Sequence, residues 1–144
     1  MNNTVVVDAS LALKWVLDEP GSVAAVKLLN SWTDQGTKVI APALLTYEVA
    51  NTLHRQVIKG NITYDEAKQG LTDLYLTGVL LTFLRYEDIS ASAMEYAHNF
   101  HLPATYDAHY LALAQYEDCE YWTADTRLWN AVKGKLAWVR WFSD

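Results

Sequence analysis

Four carboxylates in this chain stand where an acid can do more than solvate a surface. Asp8 closes the β-branched run TVVVD (Thr4–Asp8), and Glu48 interrupts the apolar segment PALLTYEVANTL (Pro42–Leu53). Asp107 falls near the start of TYDAHYLALA (Thr105–Ala114), and Asp125 follows the run EYWT (Glu120–Thr123) by two residues. Two carboxylates ~4 Å apart repel by roughly 4 kcal/mol at an effective dielectric of 20. Four at one place therefore need a counter-charge. Lys14 and Arg127 are the only cations close in sequence to these acids, too few to neutralise all four. A hard divalent cation with oxygen ligands fills that role, and magnesium or manganese suits an all-carboxylate set better than zinc. Such an ion activates water for attack on phosphorus, so metal-dependent phosphodiester hydrolysis is the expected chemistry.

Each acid also has a plainer reading. Asp8 and Asp125 can be helix N-caps, and Asp107 in a first helical turn favours the helix dipole. Glu48 is harder to explain that way, because a glutamate at the border of an apolar stripe is rare unless paired or bound to metal. The functional reading depends on convergence, which the elements around these residues must supply.

Those elements are short and alternate in type. TVVVD reads as a strand buried on both faces, followed by a helix from Ala9 to Leu17. Ser22 is expected to cap a helix running to about Gln35, with Gly36 as its stop. Lys38–Ala41 is a second strand, and Pro42 to Lys59 a long helix with Leu45, Val49, Leu53 and Val57 on one face. Thr63 and Glu66 form a capping box for a helix to about Leu76. A strand at Val79–Leu84, a helix at Asp88–Phe100 and a helix from Thr105 through Tyr116 follow. Glu120–Thr123 is a strand, Asp125–Val132 a helix and Ala137–Trp141 a last strand. This order argues for an α/β fold: a mainly parallel sheet of about five strands with helices on both faces. Ligands of such sheets bind beyond the carboxyl ends of the strands. Asp8 and Asp125 are expected at that edge, and the helices bearing Glu48 and Asp107 begin there.

Composition agrees with a single domain over residues 1–144. The chain is 51% hydrophobic and 19% charged, which excludes a disordered protein. Its longest apolar stretch without charge or histidine, Leu74–Leu84, is too short to cross a bilayer. Charged residues in the first thirty positions leave no signal-peptide core, and the single Cys119 excludes an internal disulfide. A cytoplasmic protein is expected. The net charge of −6 excludes nucleic-acid binding through a broad basic face. A local patch or a bound cation has to offset the repulsion of phosphate.

VVVDAS (Val5–Ser10), PALLTYEVANTL, TYDAHYLALA and TADTRLW (Thr123–Trp129) together resemble, in order, the four motifs of PIN-domain ribonucleases. The likeness is greatest to the VapC toxins of VapBC toxin–antitoxin systems. The resemblance implies a three-layer α/β/α sandwich and Mg²⁺- or Mn²⁺-dependent endoribonuclease activity. It makes Asp8, Glu48, Asp107 and Asp125 the catalytic, metal-binding acids, with Ser10 and Thr123 as supporting hydroxyls. It further implies a VapB-like antitoxin whose tail covers the acids, and a homodimer or larger assembly.

Beyond the acids, Asn51 lies one turn past Glu48, placed to hydrogen-bond the site or substrate. Lys14, Arg55 and Arg127 are candidates for RNA-backbone contacts. Trp15 and Trp32 are candidates for anchoring an antitoxin, because aromatic residues often dominate protein–protein affinity. A PIN-type RNA-processing nuclease and a non-catalytic module whose carboxylates receive a partner's arginines are the alternatives. A phosphoacceptor receiver domain wants paired acids after its first strand and a late lysine, and Val7-Asp8-Ala9 and Trp138–Trp141 supply neither.

Overall fold

The computed structural model describes residues 3–83 and 86–143, Tyr86 by its backbone alone. Five strands and seven helices alternate among them: β1 (Thr4–Val7), α1 (Ala9–Val16), α2 (Ser22–Asp34), β2 (Lys38–Pro42), α3 (Leu44–Ile58), α4 (Tyr64–Leu76), β3 (Leu80–Thr82), α5 (Tyr86–Asn99), α6 (Tyr106–Tyr116), β4 (Glu120–Thr123), α7 (Thr126–Val132) and β5 (Val139–Trp141). Every strand pair is parallel and the order is β3-β2-β1-β4-β5. The first strand is thus the centre of the sheet, and Asp8, which follows it, sits at the middle of the carboxyl edge.

The β-branched run of β1 suits that place. Val5 and Val7 pack with Leu11, Ala25 and Trp32 of α1 and α2 on one face. Val6 packs on the other with Leu45, Val49 and Leu53 of α3, Tyr110 and Leu111 of α6, and Leu128 of α7. Alternate side chains of a strand point to opposite faces, so both faces are covered and the chain forms three layers, α/β/α. Small residues let α5 lie close on α6: Ala93 and Ala97 meet Ala108 and Ala112.

Element ends follow local chemistry. The capping box at α4 is present, with Glu66 N–H donating to Thr63 Oγ1 at 3.1 Å and Thr63 N–H to Glu66 Oε2 at 3.4 Å. Ser22 is not the cap expected for α2. Its hydroxyl donates to Leu17 O at 2.8 Å and accepts from Glu19 N–H at 3.0 Å, pinning the loop behind it. The N-cap place passes to Gly21, whose φ of 87° is a left-handed conformation that glycine adopts freely. Pro42 ends β2, in register with Thr82, rather than opening α3. Leu84, the end of the expected third strand, lies outside the described residues.

Candidate active site

Asp8 is built into the sheet edge from four directions. Its Oδ1 accepts from Leu11 N–H at 3.2 Å, which caps α1, and from the Ser10 hydroxyl at 2.5 Å. Its Oδ2 accepts from the Tyr121 hydroxyl at 2.5 Å and from the Thr123 hydroxyl. Asp8 is 3% exposed, and burial raises its pKa despite four hydrogen bonds that favour the carboxylate. The plain reading and the functional one are both physically satisfied, since one oxygen caps the helix while the other is held from the neighbouring strand.

Ser10 and Thr123 do more than touch Asp8. Ser10 Oγ accepts from Ala124 N–H at 3.0 Å, and Thr123 Oγ1 accepts from Asp125 N–H at 3.0 Å. The two hydroxyls lock the loop after β4 against the start of α1. Asp125 in turn caps α7, its Oδ1 accepting from Arg127 N–H at 2.9 Å and Leu128 N–H at 3.3 Å.

The remaining acids face the same place from two helices. Glu48, in the second turn of α3, accepts from the Tyr110 hydroxyl at 2.6 Å through Oε1. Its pKa is raised by burial and then by the charges of Asp8 and Asp125, against the opposing Tyr110 hydrogen bond. The Asp107 carboxyl, on the first turn of α6, is pushed up to about 6, first by burial and then by Asp125, Asp8 and Glu48. Arg127 opposes that rise. The charges of Asp8 and Asp125 thus reach both Glu48 and Asp107, that of Glu48 reaches Asp107, and the set forms one anionic cluster. A separate cleft of about 630 Å³, between the end of α1, α3 and α4, contains none of the four.

Two phenols complete the floor of the cluster. Tyr110 and Tyr121 are fully buried, with rings stacked at 5.9 Å, and donate to Glu48 and Asp8 respectively. The sequence reading assigns neither of them a role. The usable signal was chemical: a buried tyrosine hydroxyl normally has a partner.

The other candidates are placed as follows. Asn51 and Arg55 are exposed on α3, three and seven residues past Glu48. Arg127 is exposed, and its charge reaches Asp107. Lys14 is drawn into the loop after α1, with Nζ 2.7 Å from Pro20 O and 3.4 Å from Glu19 Oε1. Its expected phosphate contact is replaced by a structural one. Trp32, expected as a docking anchor, is a core residue: it is 6% exposed, edge-on to Trp15 at 6.5 Å and to Trp122 at 5.6 Å. Trp15 is half-buried and its indole N–H donates to Ala25 O at 2.9 Å. The α2 face that carries Trp32 turns to the sheet because Val5, Val7 and Val39 need cover there.

The donor chemistry of the cluster fits a hard cation, as it is all oxygen and all acidic. Among the described residues, no three His, Cys, Asp or Glu side chains are already arranged to hold one ion. Magnesium-type sites tolerate this, because such an ion keeps several waters and takes one or two carboxylates plus substrate phosphate.

Over residues 5–135 the sequence matches the PIN domain family. The chain belongs to the PIN-domain family, whose members are generally nucleases and usually employ divalent metal ions. Its fold is similar to the crystal structure of PAE2754 from Pyrobaculum aerophilum, with a TM-score of 0.67 and 20% identity, covering 92% of this chain and 89% of that one. No curated protein matches the chain. No helix among the described residues is long and apolar enough to cross a membrane.

Proposed function

We propose that this chain is a metal-dependent endoribonuclease and the toxin of a type II toxin–antitoxin pair. One observation carries the nuclease reading: Asp8, Glu48, Asp107 and Asp125 converge at the carboxyl edge of a PIN-domain sheet, where the charges of Asp8 and Asp125 raise the pKa of Glu48 and, together with Glu48, that of Asp107. Asp8, Asp107 and Asp125 are the residues that would hold Mg²⁺ or Mn²⁺. When bound, such an ion offsets phosphate charge and makes water a better nucleophile.

The protein's own groups do the rest. Asp8 is fixed by four donors, so its position costs no reorganisation. Glu48 is oriented by Tyr110 through Oε1, which leaves Oε2 to take a proton from the attacking water. Burial and its acidic neighbours raise its basicity for that step. Attack in line at phosphorus then leaves a 5′-phosphate and a 3′-hydroxyl. Arg127, whose charge reaches Asp107, would meet the RNA backbone there.

The toxin assignment rests on the ordered likeness of the four motifs to VapC proteins. It brings a small VapB-like antitoxin that covers the acids, a homodimeric or larger assembly, and a cytoplasmic site of action. The test is induced expression in cells with mapping of RNA ends. The intact chain is expected to arrest growth and create new 5′-phosphate ends, and co-expression of the antitoxin to reverse both. Asp8→Asn and Asp107→Asn are expected to do neither while remaining folded. Full activity in either variant removes its acid from the mechanism.

A further inference from the structure

A cleft of about 250 Å³ opens at the carboxyl edge beside the acid cluster, lined among others by Pro42, Leu44, Phe83, Ile89, Ser90 and His109. One helix ties it to the acids. Leu44 precedes Glu48 by four residues on the same face of α3, about 6 Å along the axis, whereas His109, two residues past Asp107, stands on another side of α6. Phe83 is 81% exposed, so a flat aromatic face stands free at the rim, while Leu44 and Ile89 make apolar walls.

The polar wall has a defined sense. His109 Nδ1 lies 2.6 Å from Thr105 O, which can only accept, so Nδ1 carries the proton. In the neutral imidazole Nε2 is then an acceptor, and the Ser90 hydroxyl 3.0 Å away donates to it. The Thr82 hydroxyl likewise donates to Ala41 O at 3.3 Å. Both hydroxyl protons of this wall are used inside the protein, and what Ser90 offers a ligand is oxygen lone pairs. Such a wall receives an N–H donor and offers nothing to an all-acceptor phosphate. With a net charge of −6, the chain must also hold RNA by contacts other than a broad basic face.

We infer that this cleft is a nucleobase subsite, in which a base of the single-stranded RNA stacks on Phe83 and presents an N–H edge to Ser90, within a residue or so of the phosphate held at the acids. The inference rests on the nuclease reading above and supplies its substrate contact. Aromatic stacking of this kind is sequence-tolerant, and the N–H requirement adds a preference.

The test needs no turnover. AMP, CMP and, as a baseless control, ribose 5-phosphate are titrated into the metal-free protein and followed by NMR. AMP and CMP are expected to shift the resonances of Phe83, Ser90 and His109, and ribose 5-phosphate to leave them in place. Phe83→Ala should weaken AMP binding roughly tenfold, as loss of one stacked base does, and Phe83→Trp should restore it. An equal response to ribose 5-phosphate, or unchanged AMP binding in Phe83→Ala, overturns the subsite. A chain that cleaves RNA without these shifts keeps the nuclease reading and loses the subsite. Shifts without RNA cleavage support the cleft's base specificity and remove the nuclease reading.

Discussion

The hydroxyl of Tyr121, on β4, donates to Oδ2 of Asp8, at the end of β1, and both residues are sealed from solvent. The contact spans 113 positions of sequence and joins the central strand to its neighbour at the edge where the acids gather. Tyr121→Phe removes that donor and leaves a buried carboxylate oxygen short of a partner. The expected cost is about 1–3 kcal/mol of stability. The loss should grow from pH 4 to pH 8, because burial raises the pKa of Asp8 and the tyrosine hydroxyl favours its carboxylate form. Urea unfolding at the two pH values checks this, and equal stability of variant and parent at pH 8 contradicts it.

Asp107 sets a pH dependence with a definite sign. Its folded pKa of about 6 exceeds the ordinary aspartate value of 3.8, so the folded state binds more protons between those limits. Stability of the metal-free protein therefore falls as pH rises through that window, and Asp8 and Glu48, also raised, push the same way. The melting temperature is expected to be higher at pH 5 than at pH 7.5. Asp107→Asn should flatten the difference. An unchanged slope in that variant would show that Asp107 is not held among the other acids.

Trp32 is expected to behave as core. Trp32→Ala removes a ring packed between Trp15 and Trp122 and should cost about 3–5 kcal/mol. Chemical denaturation measures it. A variant as stable as the parent would return Trp32 to the surface role that its helix position suggested.

How far the sequence could be read follows from which signals are local. The valines of β1 state their own burial on both faces, and Thr63 and Glu66 name the start of α4, because the deciding contacts lie within a few residues. The four acids were legible because strand ends and the helices that follow them share one edge. Ser22 misled because its hydroxyl reached back to Leu17 rather than into its own helix. Trp32 misled because periodicity gives a helix an apolar face without saying where that face turns. The hydrogen-bond partners of Tyr110, Tyr121 and Ser90 could not be read for a third reason. They are 62, 113 and 19 residues away, and no short pattern encodes a contact made only when helices and strands are stacked.

The four acids form an anionic cluster that a divalent ion would complete. Calorimetric titration of Mn²⁺ into the protein at pH 6, in buffers of different ionisation enthalpy, addresses it directly. Binding is expected with proton release, because Asp107 is about half protonated at that pH and must lose its proton to a cation. Asp8→Asn and Asp107→Asn should each weaken binding at least tenfold, and their double variant should abolish it. No binding at millimolar Mn²⁺, or equal affinity in parent and variants, would contradict the assignment of these acids to one metal-dependent site.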